Sequence, residues 1–220
     1  MIATTSQFQQ LLTMVEGAAI NVAPAYQRQY RWDTVRQSRF IESIFFIQLY
    51  SIYEYVIINS FGAVARQFNR FSIPFERVRW SLLCLGLHPT FQAIQDLSER
   101  RGWQKRIELL SLCKSPASSS VQESLFPRDE SHFRAGQLNL ICEILGLPSG
   151  ALVPNSRVIG WIDEVVDNRN AISHGRETAD AIGGRYSSTD LKDRLSQLNI
   201  LGNHILNVLE THSSIQTNFF

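Results

Sequence analysis

The sequence predicts an all-α protein: a helical bundle built on one long early helix, with a short N-terminal helix and an irregular arm before it. Three observations carry this expectation. Apolar residues recur at spacings of three and four, and no stretch alternates with the period of two that a half-buried strand requires. Hydrophobic residues are 44% and charged residues 19% of 220 positions, with only 12 Gly and 7 Pro, so there is a core to bury and little to break helices. Glycine and proline stops follow the periodic stretches, as in "EILGLP" and "ISHGRE".

The elements follow in order. A first helix is expected at about 4 to 18, then an irregular "NVAPAYQRQYRW", where Pro24 disfavours helix at its predecessor. Asp33 is the expected N-cap of the long helix, which runs to about 68 with Phe40, Ile44, Ile47, Tyr50 and Ile57 on its apolar face. Shorter helices are expected at about 75 to 86, 89 to 100 and 103 to 114. The Ser- and Pro-rich "KSPASSSVQESLFPRDE" is a loop between two halves of one bundle. "SHFRAGQLNLICEILGLP" reads as a helix with Ser131 as cap and Gly146 and Pro148 as stop. The next helix opens near "PNSR", carries Val158, Ile159, Ile162, Val165, Val166 and Ile172 on one face, and ends at His174 before Gly175. "GRETADAIGGRY" reads as a mobile connector, and a last helix spans about 188 to 211 with Ser188 or Thr189 as cap. The division expected is 1–32, helix and arm, and 33–220, the bundle.

A net charge of +1 gives no global field for nucleic acid or an anionic surface, so any such binding must come from local patches. Cys84, Cys113 and Cys142 lie far apart in leucine-rich runs and read as reduced core residues of a cytoplasmic protein. The N-terminus lacks the pattern of a secretory signal. The most apolar run, 40 to 65, is interrupted by Glu42, Gln48, Glu54 and Asn59 and is too polar for an isolated membrane span, so no membrane partner is expected. No His or Cys spacing suggests a metal site or a cofactor.

Chemistry concentrates in "DEVVDNRNAISHGRE", 163 to 177. Asn170 and His174 are four apart and share a helix side, whereas Arg169 and His174 diverge by roughly 140° at 100° per residue. Histidine exchanges protons near neutral pH, arginine binds phosphate oxygens bidentately, and asparagine orients either. Together these groups suit acid–base work on a phosphodiester, in which a ribose 2′-hydroxyl attacks its neighbouring phosphate. The plainer alternative is a polar helix terminus, with cationic side chains near the macrodipole's negative end and Gly175 as the left-handed cap.

The stretch "VVDNRNAISHGRE" resembles the signature of the HEPN (higher eukaryotes and prokaryotes nucleotide-binding) domain family, an arginine and a polar residue followed at short distance by a histidine. "QLYSIYEYVI" resembles the early family helix that often carries a glutamate, and "NLICEILGLP", the motif helix and a terminal helix follow in the family's order, so the resemblance covers about 40 to 212. It implies a HEPN-type helical bundle and a metal-independent endoribonuclease that leaves 2′,3′-cyclic phosphate. Arg169 would be the phosphate clamp, Asn170 the positioning residue and His174 the general base or acid, with Glu54 as an orienting partner. For Glu54 the alternative is a structural pairing with an arginine. The resemblance also implies a homodimer whose two motif helices share one cleft, which would resolve the divergence of Arg169 and His174.

A shorter stretch, "APAYQRQYRWDTVRQSRFIESIFF", resembles the opening of DUF262 (ParB-like) proteins of restriction systems, but the further motif of that family is missing, so no catalytic role carries over. Arg28, Tyr30, Arg31 and Trp32 could contact RNA by stacking and charge, as could Arg176; the alternative for the arm is ordinary packing on the bundle. The basic clusters at 66 to 71, 75 to 80 and 99 to 106 read as solvated helix ends or as guides for RNA. The function expected is a toxin or phage-defence ribonuclease, with a cognate antitoxin or a restriction or defence protein as partner. The alternatives are a non-catalytic HEPN module binding RNA, a nucleotide or a protein, and a restriction-system accessory protein.

Overall fold

A computed structural model describes residues 9, 10, 13, 31–95, 97–125 and 133–220, with side chains in the first long helix from residue 38 onward. Among these residues the protein is all-α, with eight α-helices, two 3-10 turns and no strand beyond an isolated bridge between Pro74 and Ser118. The helices are α1 Arg31–Phe71, α2 Trp80–Gly86, α3 His88–Gln95, α4 Glu99–Leu112, α5 Ala135–Leu145, α6 Ser156–Ser173, α7 Ala179–Gly183 and α8 Ser188–Ser213. Of the expected first helix, residues 9, 10 and 13 are described and helical. The arm, with Arg28 and Tyr30, and the expected cap Ser131 lie outside the described residues.

Helix α1 is the axis of the molecule and packs against α6, α7 and α8. Because neighbours surround it, its buried residues are not one stripe but pairs such as Phe45 with Phe46, Leu49 with Tyr50, Ile52 with Tyr53 and Val56 with Ile57. Phe40, expected inside, is 51% exposed, and Ile44 and Ile47 are only half-buried. Helix already runs from Arg31, so Asp33 is not its cap and Arg31 and Trp32 belong to the helix, not to the arm. By length and hydropathy the stretch Ser38–Phe71 could cross a membrane, although its sequence suggested otherwise; half of its most apolar window is buried inside the bundle, as in a core helix.

Several boundaries differ from expectation for local reasons. The helix expected at 75 to 86 is split into a 3-10 turn, Phe75–Arg77, and α2, because Val78 and Arg79 are extended and the Arg79 amide donates to the Phe219 carbonyl (2.8 Å). Helix α4 starts at Glu99, earlier than expected, behind Ser98. Asn155 caps α6, its side chain accepting from the Val158 amide at 3.2 Å, and Ile159 on that helix is exposed instead of buried. Helix α8 is capped by Ser187, not Ser188 or Thr189; Asp190 completes a reciprocal capping box. Only Cys142 is buried; Cys84 is exposed and Cys113 half-buried, so the expectation of three core cysteines holds for one.

The connector after Gly175 is not the mobile loop expected. It folds into α7, whose Ile182 and Gly183 are buried against α1. A Cβ on Gly183 would overlap the Arg39 backbone carbonyl, so the two helices approach as closely as glycine permits.

Candidate active site

The motif occupies the last turn of α6. Two devices fix that turn at its ends. Upstream, Arg134 bridges Asp163 (2.9 Å) and Asp167 (2.5 Å), tying the start of α5 to α6. Downstream, Gly175 takes the left-handed conformation at φ 65°, the Gly175 amide donates to the Ile172 carbonyl (3.2 Å), and the Arg176 amide to that of Ala171 (2.9 Å). That is the double closure of a Schellman stop, which satisfies carbonyls the helix end would otherwise leave open.

Within this turn Arg169 and Asn170 come together and His174 stands apart. The Arg169 guanidinium donates from Nη1 to Asn170 Oδ1 at 3.1 Å and lies over the Tyr50 ring of α1, 5.0 Å from its centroid. Asn170 is buried and Arg169 half-buried, so one edge of the guanidinium is pinned while further N–H donors remain for another partner. His174 is the C-cap; its backbone amide donates to the Asn170 carbonyl at 3.0 Å, but its ring is exposed and bonds to no described residue. Asn170 and His174, expected to project to the same side, differ in surroundings: Asn170 is buried against its neighbour Arg169, and the imidazole at the C-cap is exposed to solvent. Arg176 is exposed.

Glu54 lies on α1 one turn beyond Tyr50, half-buried, and makes no ion pair or hydrogen bond with a described residue. Neither of its expected roles has a partner in place, although the Tyr50 contact puts Arg169 on that stretch of α1. Among the described residues no three His, Cys, Asp or Glu side chains gather as a metal site would require.

Two residues that sequence reasoning passed over support the turn. Tyr50, taken for a core residue, offers its ring face to Arg169, which combines packing with cation–π attraction. Asn168 is buried, and its Nδ2 donates to the Tyr186 hydroxyl at 2.7 Å. Tyr186 packs on Phe46 with ring centroids 4.6 Å apart, and its hydroxyl also faces Glu164, which is held bidentately by Arg194 at 2.9 and 3.0 Å. Burial pushes the Tyr186 hydroxyl above its usual range, and the hydrogen bonds that Arg194 donates to Glu164 raise Arg194, so both stay protonated at neutral pH. The only signal in the sequence was the unbroken polar run Asp167, Asn168, Arg169, Asn170, which periodicity cannot divide into inward and outward members.

This network gives a direct expectation. Tyr186→Phe removes the acceptor of a buried amide and should cost about 1–3 kcal/mol. Urea unfolding of the variant checks it, and an unchanged midpoint would show that Asn168 finds another partner.

A scan of protein-family models, a search of curated proteins and a search of solved structures each find no match to this chain.

Proposed function

We propose that the chain is a metal-independent endoribonuclease of HEPN type that acts as a homodimer, with Arg169 as phosphate clamp and His174 as proton-transfer group. The observation that carries this reading is the motif's last turn, where a guanidinium pinned on one edge by Asn170 and Tyr50 keeps donors to spare, and an imidazole stands open at the same helix end. A guanidinium so held can take the non-bridging oxygens of a phosphodiester without first losing rotamer freedom. An exposed imidazole can remove the 2′-hydroxyl proton or protonate the leaving 5′-oxygen. The helix stays regular through Ser173, so side chains five apart diverge by roughly 140° and a single chain aims them differently. A twofold dimer would let one chain supply the arginine and the other the histidine.

Incubation of the intact protein with total cellular RNA in EDTA tests the reading. Fragments ending in 2′,3′-cyclic phosphate and 5′-hydroxyl are expected. Folded, dimeric protein that leaves every RNA intact would sink it.

One observation favours a second reading, a non-catalytic module that binds RNA, a nucleotide or a protein. Catalytic imidazoles are commonly oriented through their second nitrogen, and the His174 ring has no such partner among the described residues. Binding of RNA without cleavage, lost on Arg169→Ala, would support that module.

A further inference from the structure

Helix α4 is apolar on two sides, and the described residues cover only one. It packs on α3, and of its fourteen residues only Gly102 is buried. Leu109 and Leu112 are half-buried, while Trp103, Ile107 and Leu110 are 58%, 64% and 64% exposed. At 100° per residue those three fall within an arc of roughly 60°, on the side away from Leu109 and Leu112. Their spacing of four and then three is that of a coiled-coil seam, the surface one helix offers to another.

The flanks specify the partner's charge. Arg100 and Arg106 lie roughly 60° to either side of the seam, and Lys114 follows beyond its far end. The Arg106 guanidinium stacks on the Trp103 ring, 4.7 Å from its centroid, and so borders the seam itself. Of the acidic residues, Glu108 is turned away and engaged by Lys105 at 2.7 Å, while Glu99, one turn before Trp103, lies on the seam side, so that Arg100, Arg106 and Lys114 outnumber it there. A second copy of α4 would bring arginines against arginines. A lipid surface calls for an apolar arc wider than about 100°, which three residues in one file do not supply. RNA could use Trp103 and the arginines, but Ile107 and Leu110 offer it nothing.

We propose that the Trp103, Ile107 and Leu110 seam of α4 is a docking surface for an amphipathic helix of another polypeptide that carries acidic residues beside its apolar seam. Docking closes the apolar file and sets carboxylates against Arg100 and Arg106. This surface is separate from the α6 turn and does not depend on RNA cleavage.

The test uses the full chain and two labelled helical peptides with leucine at the seam positions, one flanked by glutamate and one by lysine, read by fluorescence anisotropy. The glutamate peptide should bind at least about tenfold more tightly, since like charges across an interface are strongly disfavoured. Arg100→Glu with Arg106→Glu should invert that preference. Leu110→Asp should weaken both peptides about tenfold or more with the circular dichroism unchanged, because the side chain is exposed. Equal binding of the two peptides, or none, overturns the proposal. So does tighter capture by anionic phosphatidylserine vesicles or by a single-stranded RNA oligomer, or a chain whose own dimer dissociates with Leu110→Asp.

Discussion

Equimolar mixing of Arg169→Ala and His174→Ala chains is expected to restore about a quarter of wild-type RNA cleavage, although each variant alone loses about 10²–10⁴-fold. If each site takes its arginine from one chain and its histidine from the other, a mixed dimer has one site lacking both groups and one with both intact. Random exchange makes about half of all dimers mixed, each with one of its two sites whole. Were both groups drawn from the same chain, every site would lack one of them and mixing would restore nothing. The single variants are suited to this comparison for different reasons. His174 is exposed and its ring bonds to no described residue, so alanine there removes the proton-transfer group without touching the core. Arg169 is half-buried over Tyr50, so its variant loses some packing as well as charge, and its thermal midpoint should be recorded beside its rate. Cleavage measured against mixing ratio decides the matter: a maximum near equal proportions supports the shared site, and a flat baseline rules it out.

The motif helix was legible because its signals are local. Apolar residues at three and four, an asparagine before the first turn and a glycine after the last suffice to bound α6, and the structure places Gly175 at positive φ. What remained hidden depends on neighbours far along the chain. Arg169 and His174 could be picked out by chemistry, but that Asn170 turns inward to Arg169, and that Tyr50 of α1 lies beneath the Arg169 guanidinium, follows only from how α1 and α6 pack. Helix α1 itself misled in detail: packed on several sides, it is apolar nearly all round, and no face could be chosen from its periodicity. The short α7 was read as part of a connector because glycines and polar residues dominate the stretch around it, yet burial of Ile182 against α1 outweighs that local bias. In α4 the reverse holds. Its outward apolar file carried a correct helix signal but could not announce that no described residue buries it.

Gly183→Ala is expected to destabilise the protein by about 3 kcal/mol or more, whereas Gly160→Ala should stabilise it by about 0.5–1 kcal/mol. Both glycines are helical and both changes add one methyl group, so intrinsic helix propensity favours alanine at each, more at Gly160 inside α6 than at Gly183 in the last position of α7. Their surroundings differ. A Cβ on Gly160 meets nothing within 4 Å. One on Gly183 overlaps the Arg39 carbonyl, which is backbone within α1 and cannot rotate aside as a side chain could. The helices must therefore separate, and α7 must lift from the axis on which the bundle is built. For a chain of this size the loss corresponds to a fall of roughly 6–12 °C in thermal midpoint. The consequence extends to the motif, because Tyr186, three residues on, joins Phe46 of α1 to Asn168 of α6. Lifting α7 draws that tyrosine away from both. RNA cleavage by Gly183→Ala should thus fall even below the new midpoint, while Gly160→Ala keeps wild-type activity. Equal midpoints for the two variants would show that α1 and α7 do not meet at this glycine, and would remove the physical reason for a folded α7.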